Sequence, residues 1–121
     1  MAQLKIVLIL MIATALTISS LFQNPAAVAQ DTSAEISDLN KKGNELVRLD
    51  DNRGAIEAFD KALAIDPNDV ESLNGKAGIL GILGDYAGAD EYLDRVLAID
   101  PNDATANLGK SIVLEHLEVD G

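Results

Sequence analysis

The sequence predicts an all-α protein, a short solenoid of antiparallel helix pairs with five helices after an N-terminal segment. Two observations lead to this prediction. When residues 36–69 are laid over residues 70–103 without gaps, 17 of the 34 positions are identical, which indicates two copies of one supersecondary unit. Within each copy, apolar residues recur at intervals of three, four and seven, as on one face of a helix. We therefore expect each copy to be a pair of packed helices.

The first 29 residues have the pattern of an export signal. Residues 6–22 carry no charge, and Ala27-Val28-Ala29 has the small–any–small form that a signal peptidase admits. Cleavage there would leave Gln30 as the first residue, with residues 30–35 as a short polar linker, in a periplasmic, luminal or secreted protein. The alternative is an uncleaved, membrane-anchored chain, because these 17 uncharged residues are barely enough to cross about 30 Å of hydrocarbon.

The first predicted repeat, residues 36–69, contains two helices that the run from Asp50 to Gly54 separates. Pro67 ends the second helix, because proline lacks an N–H and pushes the preceding residue out of helical space. Asn68 and Asp69 can then accept the free N–H groups of the next helix. Each helix has one apolar face that we expect in the core: Leu39, Leu46 and Leu49 on the first, and Ala55, Phe59, Ala62 and Leu63 on the second.

The second predicted repeat, residues 70–103, follows the same pattern at an offset of 34. Its expected core residues are Leu73, Leu80 and Leu83, then Ala89, Leu93, Val96 and Leu97. Residues 104–118 predict one further helix, the first half of a third repeat or a capping helix. In it, Leu114 and Leu117 continue the core series, while polar Asn107 occupies a core position.

Composition excludes several classes of function. With 20 acidic and 9 basic residues the net charge is −11, which argues against nucleic acid or anionic lipid as the main partner. The absence of cysteine excludes disulfides, thiolate metal sites and a cysteine nucleophile. The acidic run 50–54 lacks the glycine spacing and distal glutamate of a calcium loop, and His116 has no nucleophile spaced to use it. We predict no enzymatic activity, no metal site and no cofactor.

The two repeats resemble the tetratricopeptide repeat family over about residues 36–118. The resemblance rests on a small residue late in each first helix, a small–large–small series in each second helix and a near-terminal proline: Gly43 and Ala77; Ala55, Phe59 and Ala62 with Ala89, Leu93 and Val96; Pro67 and Pro101. Leu39 and Leu73 stand where the family has an early tryptophan, and Val96 stands where alanine is usual.

The resemblance implies a non-catalytic protein that binds a peptide or a partner's helix in the groove lined by the first helix of each repeat. By position it assigns to this groove Asn40, Asn44, Val47, Arg48, Glu71, Asn74, Gly78, Gly81, Ile82, Thr105, Leu108, Ile112 and Glu115. The asparagine amides of this set both donate and accept, which suits a partner's main chain, whereas Val47, Ile82, Leu108 and Ile112 would give apolar contact. The alternative is that the polar members are only solvated surface residues.

Some members of the family clamp a C-terminal carboxylate with lysine, arginine and asparagine side chains. Only Asn44 falls on one of those positions here. The other positions hold uncharged residues, namely Asn40, Gly75, Thr105 and Gly109. Without the cations of the clamp, a carboxylate would meet a negative protein, so we do not expect this mode of binding.

Glycine recurs every three residues along one predicted helix, at Gly75, Gly78, Gly81 and Gly84. Gly84 is expected in the turn, but each glycine inside the helix costs about 1 kcal/mol relative to alanine. One interpretation is that the bare stripe lets a partner backbone or helix approach closely. The other is that a weak helix is simply tolerated.

The helix predicted over residues 104–118 is apolar on more than one side, with Leu108 and Ile112 on the groove side. A terminal helix of a repeat array should be polar on its outer face. The sequence therefore predicts either a homodimer through this helix or docking on a larger assembly.

The acidic surface favours a basic partner. If the N-terminal segment is not cleaved, the alternative function is a membrane-tethered scaffolding or assembly factor.

Overall fold

The computed structural model describes residues 25–120, and the side chains of residues 29–119. These residues form five α-helices and no strand: α1 (Pro25–Arg48), α2 (Asn52–Ile65), α3 (Val70–Ile82), α4 (Tyr86–Ile99) and α5 (Ala104–Asp120). The predicted all-α class is confirmed. The uncharged run 6–22 of the expected export signal lies outside the described residues. Residues 30–35, expected as a linker, are helical and belong to α1.

The chain divides after Ala34 into two units, and the unit Glu35–Gly121 contains both predicted repeats. Within it, α3 packs against α2, α4 and α5, and α4 also packs against α5. Each short helix is thereby held by a neighbour that covers its apolar face, as a repeat array requires. None of the helices in residues 25–120 is both long enough and apolar enough to cross a bilayer.

Aspartates begin four of the helices. The side chains of Asp51, Asp69, Asp85 and Asp103 accept hydrogen bonds from the backbone N–H three residues later, at 2.7–3.0 Å. The predicted capping roles of Asp69 and Asp103 are confirmed. Asn68 and Asn102 act differently, because each donates its own N–H to the aspartate two residues earlier, at 3.0 Å. The Asp-Pro-Asn-Asp run therefore closes one helix and opens the next.

Equivalent left-handed residues turn the chain between the helices of each pair. Asp50 has a φ of 61° and Gly84, 34 positions later, has a φ of 82°. Leu49 and Leu83 precede these residues and lie beyond the ends of α1 and α3. They are 67% and 56% exposed, contrary to the predicted core series, because the helical spacing that would carry them to the core face stops one residue earlier.

The core consists of two clusters of buried residues. One contains Ala55, Phe59 and Ile79, with Leu46, Val47 and Ile56 packed against it. The other contains Leu73, Ala77, Ala89, Leu93, Val96, Ala106 and Val113. Most of the predicted core positions of the second helices are buried, since Ala55, Phe59, Ala62, Ala89, Leu93 and Val96 are at most 4% exposed.

Small residues enclose the large side chain at the centre of each cluster. A Cβ atom on Gly43 or Gly75 would lie 2.7 or 2.5 Å from the ring of Phe59, so both glycines are in contact with that ring. In the second repeat Leu93 replaces the phenylalanine. Its neighbours at the equivalent positions are Ala77, which is buried in the same cluster, and Gly109, whose Cβ would lie 3.1 Å from Leu93. The smaller leucine leaves room for one methyl group.

The predicted core face of the last helix is wrong. Ala106 and Val113 are buried, whereas Asn107 is exposed and Leu114 and Leu117 are 44% and 37% exposed. The equivalent of Asn107 is Leu73, which packs in the cluster that α4 shares. Within residues 25–120 no helix follows α5, and the side that carries Asn107 and Leu114 is exposed there. The helix instead packs through the side that faces α3 and α4.

Candidate functional site

Two adjoining depressions lie along the side of the unit that α1, α3 and α5 line. The acidic depression has a volume of about 590 Å³ and is lined by Asn44, Val70, Glu71, Asn74, Gly75, Asp103 and Thr105. The apolar cleft, of about 320 Å³, is lined by Asn74, Ala77, Gly78, Gly81, Ile82, Tyr86, Leu93, Thr105, Gly109, Ile112, Val113 and His116. Asn74 and Thr105 belong to both linings, and we call the two together the groove.

The apolar cleft is open along the glycines of α3. A Cβ atom on Gly78 or Gly81 would meet no atom within 4 Å, so neither glycine is required by packing inside the chain. Gly75 differs, because it contacts Phe59. The four glycines of the stripe therefore have different roles. Gly75 contacts a core side chain, Gly84 forms the turn, and Gly78 and Gly81 line the cleft.

Two aromatic rings form another part of the cleft wall. Tyr86 at the start of α4 stacks on His116 near the end of α5, with ring centroids 4.3 Å apart and an interplanar angle of 23°. His116 Nδ1 lies 2.8 Å from the carbonyl oxygen of Ile112. A carbonyl only accepts, so Nδ1 carries the proton and donates it. This bond and the stack fix the ring at the cleft, although the side chain as a whole is exposed.

The acidic depression carries two carboxylates held by amides. Asn44 Nδ2 donates to Glu71 Oε1 at 3.1 Å, and Asn74 Nδ2 donates to Asp103 Oδ1 at 3.2 Å. Asp103 also caps α5 through the N–H of Ala106. The lining contains no lysine, arginine or histidine. The two negative charges are therefore hydrogen-bonded but not neutralised by the chain.

Asn40 lies in a buried network behind the groove. The residue is 2% exposed, and its Nδ2 donates to Asp69 Oδ2 at 2.8 Å. The Ser72 hydroxyl lies 2.6 Å from Asn40 Oδ1 and 2.5 Å from Asp69 Oδ2, so these two oxygens share its single proton. Burial raises the pKa of the Asp69 carboxyl, but hydrogen bonds from Ser72 and Asn40 outweigh it and hold that pKa below its ordinary value. Both ends of the Asn40 amide are used inside the chain, so we leave this residue out of the binding surface.

The equivalent network of the second repeat is incomplete. Asn74 donates to Asp103 just as Asn40 donates to Asp69. However, Ala106 stands 34 positions after Ser72, at the place that the serine has in the network of Asn40, and alanine has no hydroxyl to donate. Asn74 Oδ1 is consequently a buried acceptor without a hydrogen-bond partner. This amide lies between the two depressions, at the centre of the groove.

The structure brings six of the ten predicted partner-binding residues to the groove. These are Asn44, Asn74, Gly78, Gly81, Ile82 and Ile112, and the sequence-derived Glu71 and Thr105 join them. Besides Asn40, three others lie elsewhere. Val47 packs against the first core cluster, Arg48 pairs with Glu45 on the surface of α1, and Leu108 is 65% exposed and lines neither depression.

Sequence reasoning missed the two aromatic rings of the cleft, Tyr86 and His116. Tyr86 takes the repeat position of Asn52, so the repeat comparison carries no signal for it. His116 has an unremarkable position near a helix end. The two rings meet only because α4 and α5 pack side by side, which brings the first residue of one helix to the last turns of the other. Among the described residues, no cluster of acidic and histidine side chains could hold a metal ion.

Comparison with known proteins agrees with this architecture. The family profile described as tetratricopeptide repeat matches residues 40–117. Among solved structures, the C-terminal TPR-containing domain of a Plasmodium falciparum protein named as an FK506-binding protein superposes with a TM-score of 0.70 at 21% identity, over 80% of this chain and 64% of that one. This chain thus spans slightly less than two thirds of that domain, and at such low identity the likeness establishes the fold alone. Comparison with curated protein sequences gives no significant match.

Proposed function

The chain belongs to the tetratricopeptide repeat family, and we propose that it is a non-catalytic module that docks a segment of a partner protein in the groove. Repeat arrays of this family generally mediate contacts between proteins. The observation that carries the proposal is the apolar cleft, in which Gly78 and Gly81 face open space. Helix-interior glycines that serve neither packing nor a turn cost about 1 kcal/mol each, and a surface that must admit a partner is a reason to keep them.

The apolar chemistry of the cleft supports the same function. Ile82 of α3 and Ile112 of α5 both line it and are 63% and 48% exposed. Exposed apolar side chains that line a concave site are typical of ligand and peptide sites. Asn44, exposed at the adjoining depression, provides an amide suited to a partner's main chain.

Replacing both cleft glycines by alanine tests the proposal. We expect the double variant Gly78→Ala with Gly81→Ala to unfold at a higher temperature than the wild type, because alanine favours the helix and meets no atom there. In a pull-down after cross-linking, the same variant should retain less of the partner protein, because two methyl groups then stand in the cleft. Undiminished recovery by a stabilised variant would remove the groove from the docking function.

We also propose that the protein works outside the cytoplasm after export. The uncharged run 6–22 and the sequence Ala27-Val28-Ala29 support this location. The alternative is a scaffolding or assembly factor that an uncleaved N-terminal helix tethers to a membrane. N-terminal sequencing of the protein isolated from its own cells separates the two, because cleavage gives Gln30 as the first residue and tethering retains Met1.

Self-association through α5 is a second candidate that a specific observation favours. Five apolar side chains of this helix are more than a third exposed: Leu108, Ile112, Leu114, Leu117 and Val119. Such a run on one terminal helix is typical of an interaction surface. A dimer would appear in multi-angle light scattering as a mass that doubles with concentration, whereas a constant monomer mass at high concentration would exclude it.

A further inference from the structure

We propose that the groove recognises a two-part pattern in its partner: a lysine or arginine side chain that enters the acidic depression, next to a large apolar side chain that enters the apolar cleft. The inference rests on the proposed function, because it takes the groove as the docking surface. It adds the chemistry of the docked segment and says which depression each of its two side chains enters.

The positive side chain follows from the charges that line the groove. Glu71 and Asp103 are the charged residues of the acidic depression, and neither has an ion pair within the described chain. Glu71 is exposed, and its one hydrogen bond comes from a neutral amide, Asn44. A concave site lined by one sign of charge concentrates its field and attracts the opposite charge.

The chain has no cation of its own in this place. Eight of its nine basic residues are in the described part, and none of them lines the groove. Five are engaged elsewhere: Lys41 with Asp38, Arg48 with Glu45, Lys76 with Asp60, Lys110 with Asp90 and Asp94, and Arg95 with the carbonyl oxygen of Pro67. A cation at Glu71 must therefore come from the partner.

The apolar side chain follows from the cleft and from its position. The cleft lies directly beside the acidic depression, because Asn74 and Thr105 line both. Its volume of about 320 Å³ suits a small number of large side chains, and the bare backbone at Gly78 and Gly81 lets the partner's main chain come close. A lysine or arginine can lay its aliphatic stem on the apolar wall while its charged head reaches Glu71, so one short segment can satisfy both depressions.

Charge also decides against the other occupants. Residues 30–121, which follow the expected export signal and so exclude Lys5, have 8 basic and 20 acidic residues, a net charge of −12. A second copy of the chain would bring further negative charge to a negative groove, and an anionic lipid surface would be repelled. A different protein with a basic and apolar segment is therefore the occupant that we propose.

Selection from a displayed library of random peptides on the purified protein tests the pattern. We expect the retained peptides to be enriched in lysine or arginine within about three residues of Phe, Trp, Leu or Ile. One retained peptide is then made with a fluorescent label, and its affinity is measured by anisotropy at low and high salt. We expect the affinity to fall as salt increases, because the charges that attract the peptide are screened.

Two matched pairs of variants assign the two parts of the pattern. Glu71→Gln removes one charge but keeps an oxygen for Asn44, and we expect about two- to five-fold weaker binding and a smaller salt dependence. Its control is Glu91→Gln, the same charge change at an exposed residue of α4 outside the groove, which should change the affinity less than two-fold. Gly81→Leu fills the cleft and should abolish binding, whereas Ala64→Leu, at an exposed site on α2, should not.

Each part can fail separately. If Gly81→Leu abolishes binding but the retained peptides show no preference for basic residues, or Glu71→Gln behaves like Glu91→Gln, the two-part pattern is wrong and groove docking stands. If Gly81→Leu binds as well as Ala64→Leu does, the partner docks elsewhere and both proposals fall. A dimer that Gly81→Leu dissociates would show that a second copy occupies the cleft, which also overturns the pattern.

Discussion

At the scale of single residues, one substitution between the repeats changes a buried hydrogen-bond network. The oxygen of Asn40 has a donor beside it, the Ser72 hydroxyl, whose proton it shares with Asp69. Asn74 has none, because Ala106 replaces that serine. An unpaired buried acceptor costs about 1–3 kcal/mol. The second repeat therefore gives up stability at the residue that lies at the centre of the groove.

Exchanging these two residues should transfer the defect. We expect Ala106→Ser to raise the free energy of unfolding by about 1 kcal/mol, because the new hydroxyl can donate to Asn74 Oδ1. Ser72→Ala should lower the free energy by about 1–3 kcal/mol, because it leaves Asn40 Oδ1 unpaired. Urea unfolding followed by circular dichroism measures both. Equal stability of the two variants would contradict the assigned networks.

Asp69 should make part of the stability depend on pH. Its pKa is lower in the folded chain than in the unfolded chain, so its ionised form stabilises the fold. This contribution is complete above about pH 5 and is lost as the pH falls through about 4 and then through the lower folded pKa. Thermal unfolding between pH 2 and pH 7 should show this loss. The neutral variant Asp69→Asn should lose less stability over the same range. If both proteins lose the same stability on acidification, carboxylates other than Asp69 cause the loss.

At the scale of helices, the size of one side chain sets the size of its neighbours. Phe59 of α2 lies between Gly43 of α1 and Gly75 of α3. The smaller Leu93 of α4 allows Ala77 in place of one of the glycines. Glycine lowers helix stability, but here it lets three helices approach around an aromatic ring. Gly78 and Gly81 make no such close contact, because a Cβ atom at either position would meet no atom of the chain within 4 Å.

Alanine substitutions along α3 should therefore differ in sign. We expect Gly75→Ala to destabilise the protein by about 1–3 kcal/mol, because the new methyl group overlaps the ring of Phe59. Gly78→Ala should stabilise it by up to about 1 kcal/mol, because the position is open. Differential scanning calorimetry measures both changes.

A second substitution checks the cause of the first effect. Phe59→Leu reproduces the arrangement around Leu93, so it should cost less in combination with Gly75→Ala than in the wild-type background. The coupling measured by this double-mutant cycle should be of the order of 1 kcal/mol. Simple additivity would show that Gly75→Ala acts on the helix rather than on its contact with the ring.

At the scale of the whole molecule, negative charge dominates the surface. The described residues hold 20 acidic and 8 basic side chains. Two of the ion pairs join neighbouring helices, Lys76 of α3 with Asp60 of α2 and Lys110 of α5 with Asp90 of α4. These pairs neutralise only a few of the carboxylates, and repulsion among the excess ones opposes the compact state. We expect the same charge to attract basic segments of a partner.

Salt should consequently stabilise the fold and weaken partner binding. We expect the Tm to rise by a few degrees between about 10 mM and 300 mM NaCl at pH 7, because screening reduces the repulsion more than it weakens the pairs. Scanning calorimetry at the two salt concentrations measures the rise. Glu91→Gln combined with Glu118→Gln removes two exposed charges and should reduce it. A Tm that falls with salt would mean that the ion pairs outweigh the repulsion.

The sequence by itself determined the helices and their order. Helical spacing, Asp-Pro-Asn-Asp and the 34-residue period are local signals, and the capping by Asp69 and Asp103 agrees with them. The prediction was wrong where a helix end or an absent neighbour sets burial: Leu49 and Leu83 lie past the helix ends, and the last helix turns Val113 rather than Leu114 to the core.

Only the tertiary structure decided which polar and small residues are free to meet a partner. Asn40 and Asn44 look alike in the sequence, yet one is enclosed with Asp69 and Ser72 and the other lines the groove. Gly75 and Gly78 likewise separate into a core contact and an open site. The physical reason is that exposure depends on which helix packs opposite a residue. That neighbour comes from about 30 positions away in the chain, beyond the reach of any local pattern.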